Sequence, residues 1–260
     1  MEHPASAAKP LLSLFQMVSG GHLPRRASKD VQGTLSVAAL RHCKPVQEAN
    51  QWGYDLFLPF DLALRWDGAG SIELSFDVDG TGVGAEWLTL MPHCHYPDFA
   101  DYWAQYAPAH LSQDVPPFVT LGEDWSLVQI WSGVLARTRQ DWSLLVRGPV
   151  NDSRRSLGYE VLEGIIATDR FSGPLPAILR LVTPNTEIYI PAHRPFVRVV
   201  PIYRPHYDER LLDEFAVGGF ADLPADYWQS YTEWVARIVD PESRRGEYIT
   251  AEMRRWAGKE

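Results

Sequence analysis

Alternating hydrophobic and polar residues dominate the middle of the chain and predict β-strands. Hydrophobic residues recur at every second position over residues 52–66 and again over 71–78. A period of two puts alternate side chains on one face of a half-buried strand. Gly-rich or Asp-Gly turn sequences close both segments. Further strand candidates are 126–137, 142–147, 160–168, 177–181, 187–190 and 197–203. Many short strands separated by Gly and Pro predict a mainly β fold, with an antiparallel sandwich or barrel-like core.

Two segments depart from this period and predict helices. In residues 97–107 the aromatic residues Phe99, Tyr102, Trp103 and Tyr106 follow the spacing i, i+3, i+4, i+7, which is one face of a helix. Residues 224–239 repeat such a pattern, with Pro224 suited to a first helical turn. Further helices are predicted over 208–217 and 242–256. The chain therefore combines a β core, a helical insertion and a helical C-terminal appendage.

The same patterns divide the chain into three parts. Residues 1–36 form an N-terminal segment that is predicted to be partly flexible, because 19–36 is rich in Gly, Pro, Ser and charge. Within it, the apolar run 11–18 is interrupted by Ser13 and Gln16 and lacks a basic start, so it predicts a short strand or amphipathic segment and not a signal peptide. Residues 37–205 form the β-rich core, and residues 206–260 form the appendage, which the excess of tryptophan predicts to pack onto that core.

Composition excludes several classes of protein. The formal net charge of −9 does not supply the basic surface that nucleic acid or an anionic membrane requires. No window reaches the roughly 18 apolar residues of a membrane-spanning helix. Two cysteines, Cys43 and Cys94, are too few for a disulfide scaffold and fit a reducing compartment. We therefore expect a cytoplasmic protein without nucleic-acid or membrane partners.

Three motifs, in one order, resemble a bacterial protein family of unknown function. The first is Asn50-Gln51-Trp52-Gly53-Tyr54; the second runs from Trp142 to the Pro149-Val150-Asn151 turn; the third is Glu163-Gly164-Ile165-Ile166 with Thr168-Asp169. The resemblance covers roughly residues 40–205 and implies a compact β-rich fold, but no activity and no site residue. Gln140-Asp141 replaces the glycine that the family places before the tryptophan, so a different turn is expected there.

Histidines near residue 94 give the first candidate for chemistry. On an extended backbone the imidazoles of His93 and His95 share one face, as neighbouring ligands of a metal site do. Asp98 is the candidate third ligand, and iron or zinc is the metal that such a set would hold. His110, His193 and His206 are alternative third ligands. A loop leading into a helix, with hydrogen-bonded or solvated histidines, explains the same residues.

Two other motifs have simpler structural explanations. Asp77-Val78-Asp79-Gly80 begins like a calcium loop but lacks the rest of an EF-hand, and a hairpin turn accounts for it. Ser132 has no Gly-x-Ser-x-Gly elbow around it. Both cysteines lie next to a histidine in sequence, but catalytic Cys/His pairs normally form across a fold, so buried or loop thiols are expected.

Aromatic and arginine side chains give the candidate ligand-binding residues Trp131, Trp142 and Arg147. They accompany a basic stretch that also contains Arg137, Arg139, Arg154 and Arg155. Such side chains suit a planar or anionic ligand through stacking and bidentate hydrogen bonds. The alternative is that the tryptophans fill the core and the arginines balance nearby acids.

Carboxylates offer a general acid/base alternative. Glu160, Glu163 and Asp169 would serve only if the fold put two of them about 5–10 Å apart with different pKa values. An inward-facing Glu163 would be a buried acid, for which Arg180 or Arg198 is the expected structural partner.

Three functions therefore follow from the sequence. The first is a small-molecule-binding β domain with an aromatic and arginine-lined cleft, of the kind used in bacterial metabolite biosynthesis. The second is a metal-dependent tailoring enzyme that uses His93 and His95. The third is an interaction protein that forms homo-oligomers through the aromatic helices at 97–107 and 224–239. Catalytic residues, cofactor and ligand identity are left open by the sequence.

Overall fold

The structure, a computed structural model, is mainly β and describes residues 9–31, 43–77, 82–84, 86–90, 93–96, 99–122, 124, 126–152 and 158–239. The predicted fold class is confirmed: the strands form four antiparallel sheets packed in a sandwich-like arrangement. In these residues no sheet closes into a barrel. The predicted helix at 242–256 lies outside the described residues.

The strands are β1 (Leu12–Gln16), β2 (Arg25–Arg26), β3 (Tyr54–Leu56), β4 (Leu62–Trp66), β5 (Ile72–Phe76), β6 (Leu88–Thr89), β7 (His93–Cys94), β8 (Val119–Leu121), β9 (Leu127–Trp131), β10 (Val134–Thr138), β11 (Trp142–Arg147), β12 (Tyr159–Leu162), β13 (Gly164–Ile166), β14 (Pro176–Leu181), β15 (Ile188–Ile190) and β16 (Val197–Tyr203). The α-helices are α1 (Lys44–Gln51), α2 (Phe99–Tyr106), α3 (Glu209–Leu212) and α4 (Ala225–Val239).

Three larger sheets and one two-stranded ribbon make up the β core. The first sheet has the order β13-β11-β16-β3-β2, the second β12-β14-β9-β8-β7 and the third β15-β4-β5-β6, while β1 and β10 form the ribbon. Inward-facing side chains of all three sheets, such as Leu144, Leu179 and Leu64, are fully buried in one hydrophobic cluster. Alternation along each strand thus buries one face, as its hydrophobic pattern predicts.

Two predicted strands are each divided in the structure. The 126–137 segment is a hairpin of β9 and β10, with the turn at Ser132-Gly133, where Gly133 takes a φ of +76°. The 160–168 segment contributes β12 to one sheet and β13 to another. Hydrophobic alternation continues through both turns, so the period alone did not reveal them.

Two strands also lie before residue 37, where the sequence predicts the ordered core to begin. The β1 strand pairs with β10, with Leu12 opposite Thr138, and β2 pairs with β3. Leu12 and Leu14 pack against the core. The run 11–18 is therefore a strand, one of the two structures expected for it.

The helices predicted at 97–107 and 224–239 are present as α2 and α4, and the described part of the appendage is largely exposed. The insertion is confirmed as α2, which buries Phe99. The helix predicted at 208–217 is reduced to the single turn of α3, which is what an isolated short helix without tertiary contacts sustains. Every residue of 208–234 is exposed except Leu223. For residues 208–234 the expectation that the appendage packs onto the core is therefore wrong.

Residues of the first two sequence motifs build a polar cluster between α1 and the first sheet. Asn50 is fully buried and donates from Nδ2 to the Lys29 carbonyl oxygen at 2.8 Å. Asn151, with a left-handed φ of +57°, donates to Oδ1 of Asn50. Gly53 has a φ of +112°, and a Cβ there would lie 2.6 Å from the Val199 carbonyl oxygen. Two of the three motifs thus meet in one structural cluster.

Candidate functional site

A cavity of about 260 Å³ lies where residues from three sheets converge. The turn after β11 supplies one wall, β12 a second, and β15 with the following loop the third. Gly158 has a φ of +118°, and a Cβ there would lie 2.9 Å from Cγ1 of Ile188, so glycine allows the residues before β12 to approach β15 closely. We name this space the tyrosine cavity; it is lined by Pro149, Asp152, Tyr159, Val161, Tyr189, Ile190, Pro191, His193, Arg194 and Pro195.

The carboxylate of Asp61, the residue directly before β4, fixes one wall of the tyrosine cavity. The Tyr189 hydroxyl donates to Oδ2 of Asp61, and Oδ1 of Asp61 accepts the Ala192 N–H at 2.7 Å. The same carboxylate therefore holds a β15 side chain and the backbone of the loop that carries His193 and Arg194. Both groups are positioned before any ligand arrives.

The hydrogen bond to Asp61 also sets the ionisation of Tyr189. Because the Asp61 carboxylate accepts a hydrogen bond from the phenol O–H, it raises the pKa of Tyr189 to about 12; burial and the negative charge of Asp61 act in the same direction. The positive charge of Arg194 opposes the shift and is outweighed. At neutral pH Tyr189 is thus a neutral phenol and not a base.

The lining combines apolar surface with a few polar groups of different character. Three prolines, Val161 and Ile190 supply apolar contact area, while two phenol rings offer flat faces. Arg194 and His193 are hydrogen-bond donors, and Asp152 brings a carboxylate. None of these ten lining residues is Ser, Thr, Cys or Lys. The lining therefore suits recognition of a small ligand better than nucleophilic catalysis.

Trp131, Trp142 and Arg147, the predicted ligand-binding residues, do not share a cleft. Trp131 is 4% exposed and packs in the core, where its Nε1 donates to the Val134 carbonyl oxygen at 2.8 Å. Trp142 packs beside Tyr203. Arg147 lies five residues farther along β11 and so on the opposite face of the strand. Alternation along one strand thus separates Trp142 from Arg147, and the ligand-binding role expected of the three residues stays a prediction.

Arg147 instead belongs to a row of charges across the first sheet. It lies opposite Arg198 on β16, and Arg198 lies opposite Asp55 on β3. Nε of the buried Arg198 donates to Oδ1 of Asp55 at 2.8 Å. Burial lowers the pKa of Arg147, as does the charge of Arg198, while the charge of Glu163 raises it. The Arg147 guanidinium lies 5.7 Å from the ring centre of Trp52.

The predicted metal ligands His93, His95 and Asp98 are only partly described. Asp98 lies outside the described residues, and β7 places His93 opposite Thr120. Nδ1 of His95 lies 3.4 Å from the Pro116 carbonyl oxygen. The part of the chain that the structure describes contains no group of three or more His, Cys, Asp or Glu side chains that could hold a metal ion. The metal site stays a prediction.

Other candidate catalytic groups occupy structural positions. Glu160 pairs with Arg180, its cross-strand neighbour. Glu163 is exposed, so it is not the buried acid that an inward orientation would have made it. Ser132 is buried. Burial raises the pKa of Cys94, which disfavours a reactive thiolate. The calcium-like loop after Asp77 lies outside the described residues.

Asp169 forms the junction between the ribbon and the C-terminal end of β16. Its Oδ1 accepts a hydrogen bond from Arg204, and its Oδ2 accepts the Asp141 N–H at 3.0 Å. Asp141 has a φ of +65°, so it adopts the left-handed conformation that a glycine would take at this point. The turn into β11 therefore holds an aspartate in a glycine-like conformation.

The sequence did not reveal the tyrosine cavity, although it contained part of the signal. By sequence, His193 is a candidate third metal ligand, Tyr189 lies within the predicted strand 187–190, and Tyr159 lies just before the predicted strand 160–168. The cluster of Pro191, His193, Arg194 and Pro195 directly after a strand was the available sign of a rigid loop with polar groups. Its partners on β12 lie about thirty residues earlier, and only folding brings them together.

No protein-family model matches the chain, and no curated protein matches it. The resemblance to a bacterial family therefore remains a prediction. Among the described helices none has both the length and the apolar character needed to cross a membrane. The fold and the cavity define a mainly β protein with a small aromatic and arginine-lined site, and its function has to be argued from that site.

Proposed function

We propose that this protein binds a small aromatic carboxylate in the tyrosine cavity. The observation that carries the proposal is the placement of Tyr159 and Tyr189 with Arg194 around one cavity. This retains the aromatic and arginine-lined cleft expected from the sequence but builds it from different residues. The earlier set of Trp131, Trp142 and Arg147 has no part in it.

The size of the cavity limits the ligand. Its volume of about 260 Å³ lies below the range of about 300–1,000 Å³ that is typical of sites for drug-sized ligands. A single aromatic ring with one polar substituent fits this space better than a nucleotide or a peptide. Tyrosine faces and proline rings offer stacking and apolar contacts to such a ring.

The charge of the ligand follows from the donors. Arg194 presents a guanidinium, which recognises a carboxylate through two parallel hydrogen bonds. His193 adds a second donor or acceptor at the same loop. The neutral phenol of Tyr189 adds no negative charge at physiological pH, because its pKa is raised to about 12. Asp152 selects against ligands whose anionic group would face the turn after β11.

Binding of benzoate and 4-hydroxybenzoate to the full-length protein tests the proposal. Isothermal titration calorimetry and thermal shift should detect both acids, and benzamide, which has the same shape without the charge, should bind at least about tenfold more weakly. Arg194→Gln should weaken binding of the acids by about tenfold or more and leave the affinity for benzamide nearly unchanged.

Arg180→Gln is the matched control variant. Arg180 is an exposed arginine on β14 that pairs with Glu160 away from the cavity. This variant should bind both acids as the unmodified protein does. Absence of binding by either acid, or equal losses in Arg194→Gln and Arg180→Gln, would contradict the proposal.

A further inference from the structure

The C-terminal arm, which we define as residues 208–239, exposes a continuous aromatic surface. Phe220 packs edge-on against Trp228, with ring centres 5.3 Å apart. Along α4, Trp228 contacts Tyr231 and Tyr231 stacks on Trp234, with ring centres 5.7 and 5.9 Å apart. Trp228, Tyr231 and Trp234 remain 42–50% exposed. Large exposed aromatic patches of this kind mark interaction sites.

The arm is also acidic. It carries seven acidic and two basic side chains, which gives a net charge of −5. Its acids include Asp222, Asp226 and Glu233, which flank the aromatic residues in sequence. A surface that combines aromatic rings with negative charge is complementary to a surface that carries apolar and basic side chains.

Such a surface exists elsewhere on the same chain. A groove of about 730 Å³ runs along the β1–β10 ribbon. We name it the basic groove; four of its lining residues are basic, namely Lys9, Arg137, Arg139 and Arg170. Phe15, which is 51% exposed, supplies an aromatic contact in the same groove. The one acid in its lining, Asp169, already accepts a hydrogen bond from Arg204.

The arm begins next to this groove. Arg204 contacts Asp169, and its N–H donates to the Asp141 carbonyl oxygen at 2.8 Å. Tyr207, the last residue before the arm, is held by a 2.8 Å hydrogen bond between its hydroxyl and the Ser143 hydroxyl. The root of the arm and the basic groove are therefore contiguous and fixed to one another.

We propose that the arm of one copy of this chain docks in the basic groove of a second copy. Because the root of the arm and the groove are neighbours, a two-fold axis beside them brings each arm to the partner's groove. Both aromatic surfaces and both grooves are then covered in the same dimer. Opposite charges favour this encounter, and the aromatic residues supply the apolar burial. The dimer goes beyond ligand binding, since the basic groove shares no lining residue with the tyrosine cavity.

Sedimentation velocity and light scattering on the full-length protein test the dimer. At high concentration the mass should approach twice the 29.4 kDa of one chain. Trp228→Ser combined with Trp234→Ser should weaken the dimer by at least about thirtyfold, as for central aromatic residues of an interface. Arg137→Glu combined with Arg139→Glu should weaken it by at least about tenfold, and added salt should weaken the unmodified dimer.

Mixing the two double variants distinguishes arm-in-groove docking from other dimers. In a homodimer of either double variant, both arm-in-groove contacts contain a substituted side. In the mixed dimer, the unmodified arm of one chain faces the unmodified groove of the other, so one contact is intact. Fluorescence energy transfer between labelled variants should therefore show a mixed dimer that is tighter than either homodimer and weaker than the unmodified one.

Tyr106→Ser is the matched control, because Tyr106 is a 65% exposed aromatic residue on α2, outside arm and groove. It should leave the dimer intact. The proposal is overturned by a monomer at every concentration, by a dimer that tolerates the groove substitutions, by a mixture without a tighter mixed dimer, or by a loss in Tyr106→Ser equal to that of the arm variant. Near-ultraviolet circular dichroism of each variant confirms that its core is folded.

Discussion

Asn151 donates a 2.8 Å hydrogen bond from Nδ2 to Oδ1 of Asn50, across 101 positions of sequence. This contact ties the turn after β11 to the end of α1. Asn50 is fully buried, and its backbone carbonyl oxygen accepts a hydrogen bond from Nη1 of Arg198 at 2.7 Å. Side chains on three separate segments thus depend on one another for hydrogen bonding, and a buried polar network of this kind is costly to leave incomplete.

The first prediction concerns this contact. Asn151→Asp keeps the size of the side chain and its tolerance of the left-handed conformation but replaces the donor by a carboxylate oxygen facing Asn50. We expect it to lower the free energy of unfolding in urea by about 1–3 kcal/mol. Asn185→Asp is the control, because Asn185 also has a positive φ, of +56°, in an exposed turn. Equal effects of the two substitutions would show that the contact does not matter.

The second prediction concerns the ion pair of Asp55 and Arg198, both of which are about 2% exposed or less. Removing one partner leaves a buried charge, so Asp55→Ala should cost about 3–5 kcal/mol of unfolding free energy. Asp55→Leu with Arg198→Met should cost less than Asp55→Ala alone, because no charge remains buried. Glu160→Ala, which breaks the exposed pair with Arg180, should cost at most about 1 kcal/mol. A double variant less stable than Asp55→Ala would contradict the argument.

The third prediction concerns alkaline pH. The pKa of Tyr189 is raised from 10.0 to about 12, so the folded state holds this proton more tightly than the unfolded state does. The resulting stabilisation is complete below pH 10 and is lost as the pH rises from 10 to 12. Urea unfolding of the unmodified protein and of Tyr189→Phe should therefore converge over this interval.

Asp61→Asn provides the control for that measurement, since it removes the carboxylate that accepts the hydrogen bond of the Tyr189 hydroxyl. Tyr189 should then ionise at lower pH, as followed by phenolate absorbance, and the alkaline loss should shrink. An unchanged phenolate titration in Asp61→Asn would contradict the assigned cause.

The fourth prediction concerns acid pH. Burial acts to raise the pKa of Asp169, but the hydrogen bonds from Arg204 and Asp141 and the charges of Arg204 and Arg170 outweigh it and hold the pKa below 3.8. A lowered pKa stabilises the fold above the unfolded value, and this stabilisation is lost as the pH falls below 3.8. The stability difference between the unmodified protein and Asp169→Asn should be constant near neutral pH and shrink in acid.

The fifth prediction tests the metal hypothesis. If His93 and His95 hold iron or zinc, the purified protein should contain stoichiometric metal, and His95→Ala should lose it while the fold persists. Elemental analysis with circular dichroism measures both. His22→Ala is the control, because His22 is an exposed histidine outside the candidate ligand set. Equal metal content in the unmodified protein and His95→Ala would end the hypothesis.

Part of the candidate site could be read from the sequence, and part could not. Alternation along the predicted strand 142–147 already places Trp142 and Arg147 on opposite faces. The sequence alone therefore argues against both side chains contacting one ligand. The neighbourhood of Tyr159, Tyr189 and Arg194 depends on which strands of different sheets lie side by side. Local pattern carries no information on that pairing, since many sheet orders bury the same alternating residues.

The sequence by itself determined the mainly β fold, the two aromatic helices and the acidic balance of the chain, because hydrophobic period and net charge are local or summed properties. Only the tertiary structure decided that the tryptophans of the C-terminal arm face outward while Trp131 is buried in the core. Amphipathic spacing predicts that a helix has an apolar face but does not say what covers it. In this protein the side chains of the β-sheets and of α2 fill the core, and the aromatic face of α4 is exposed.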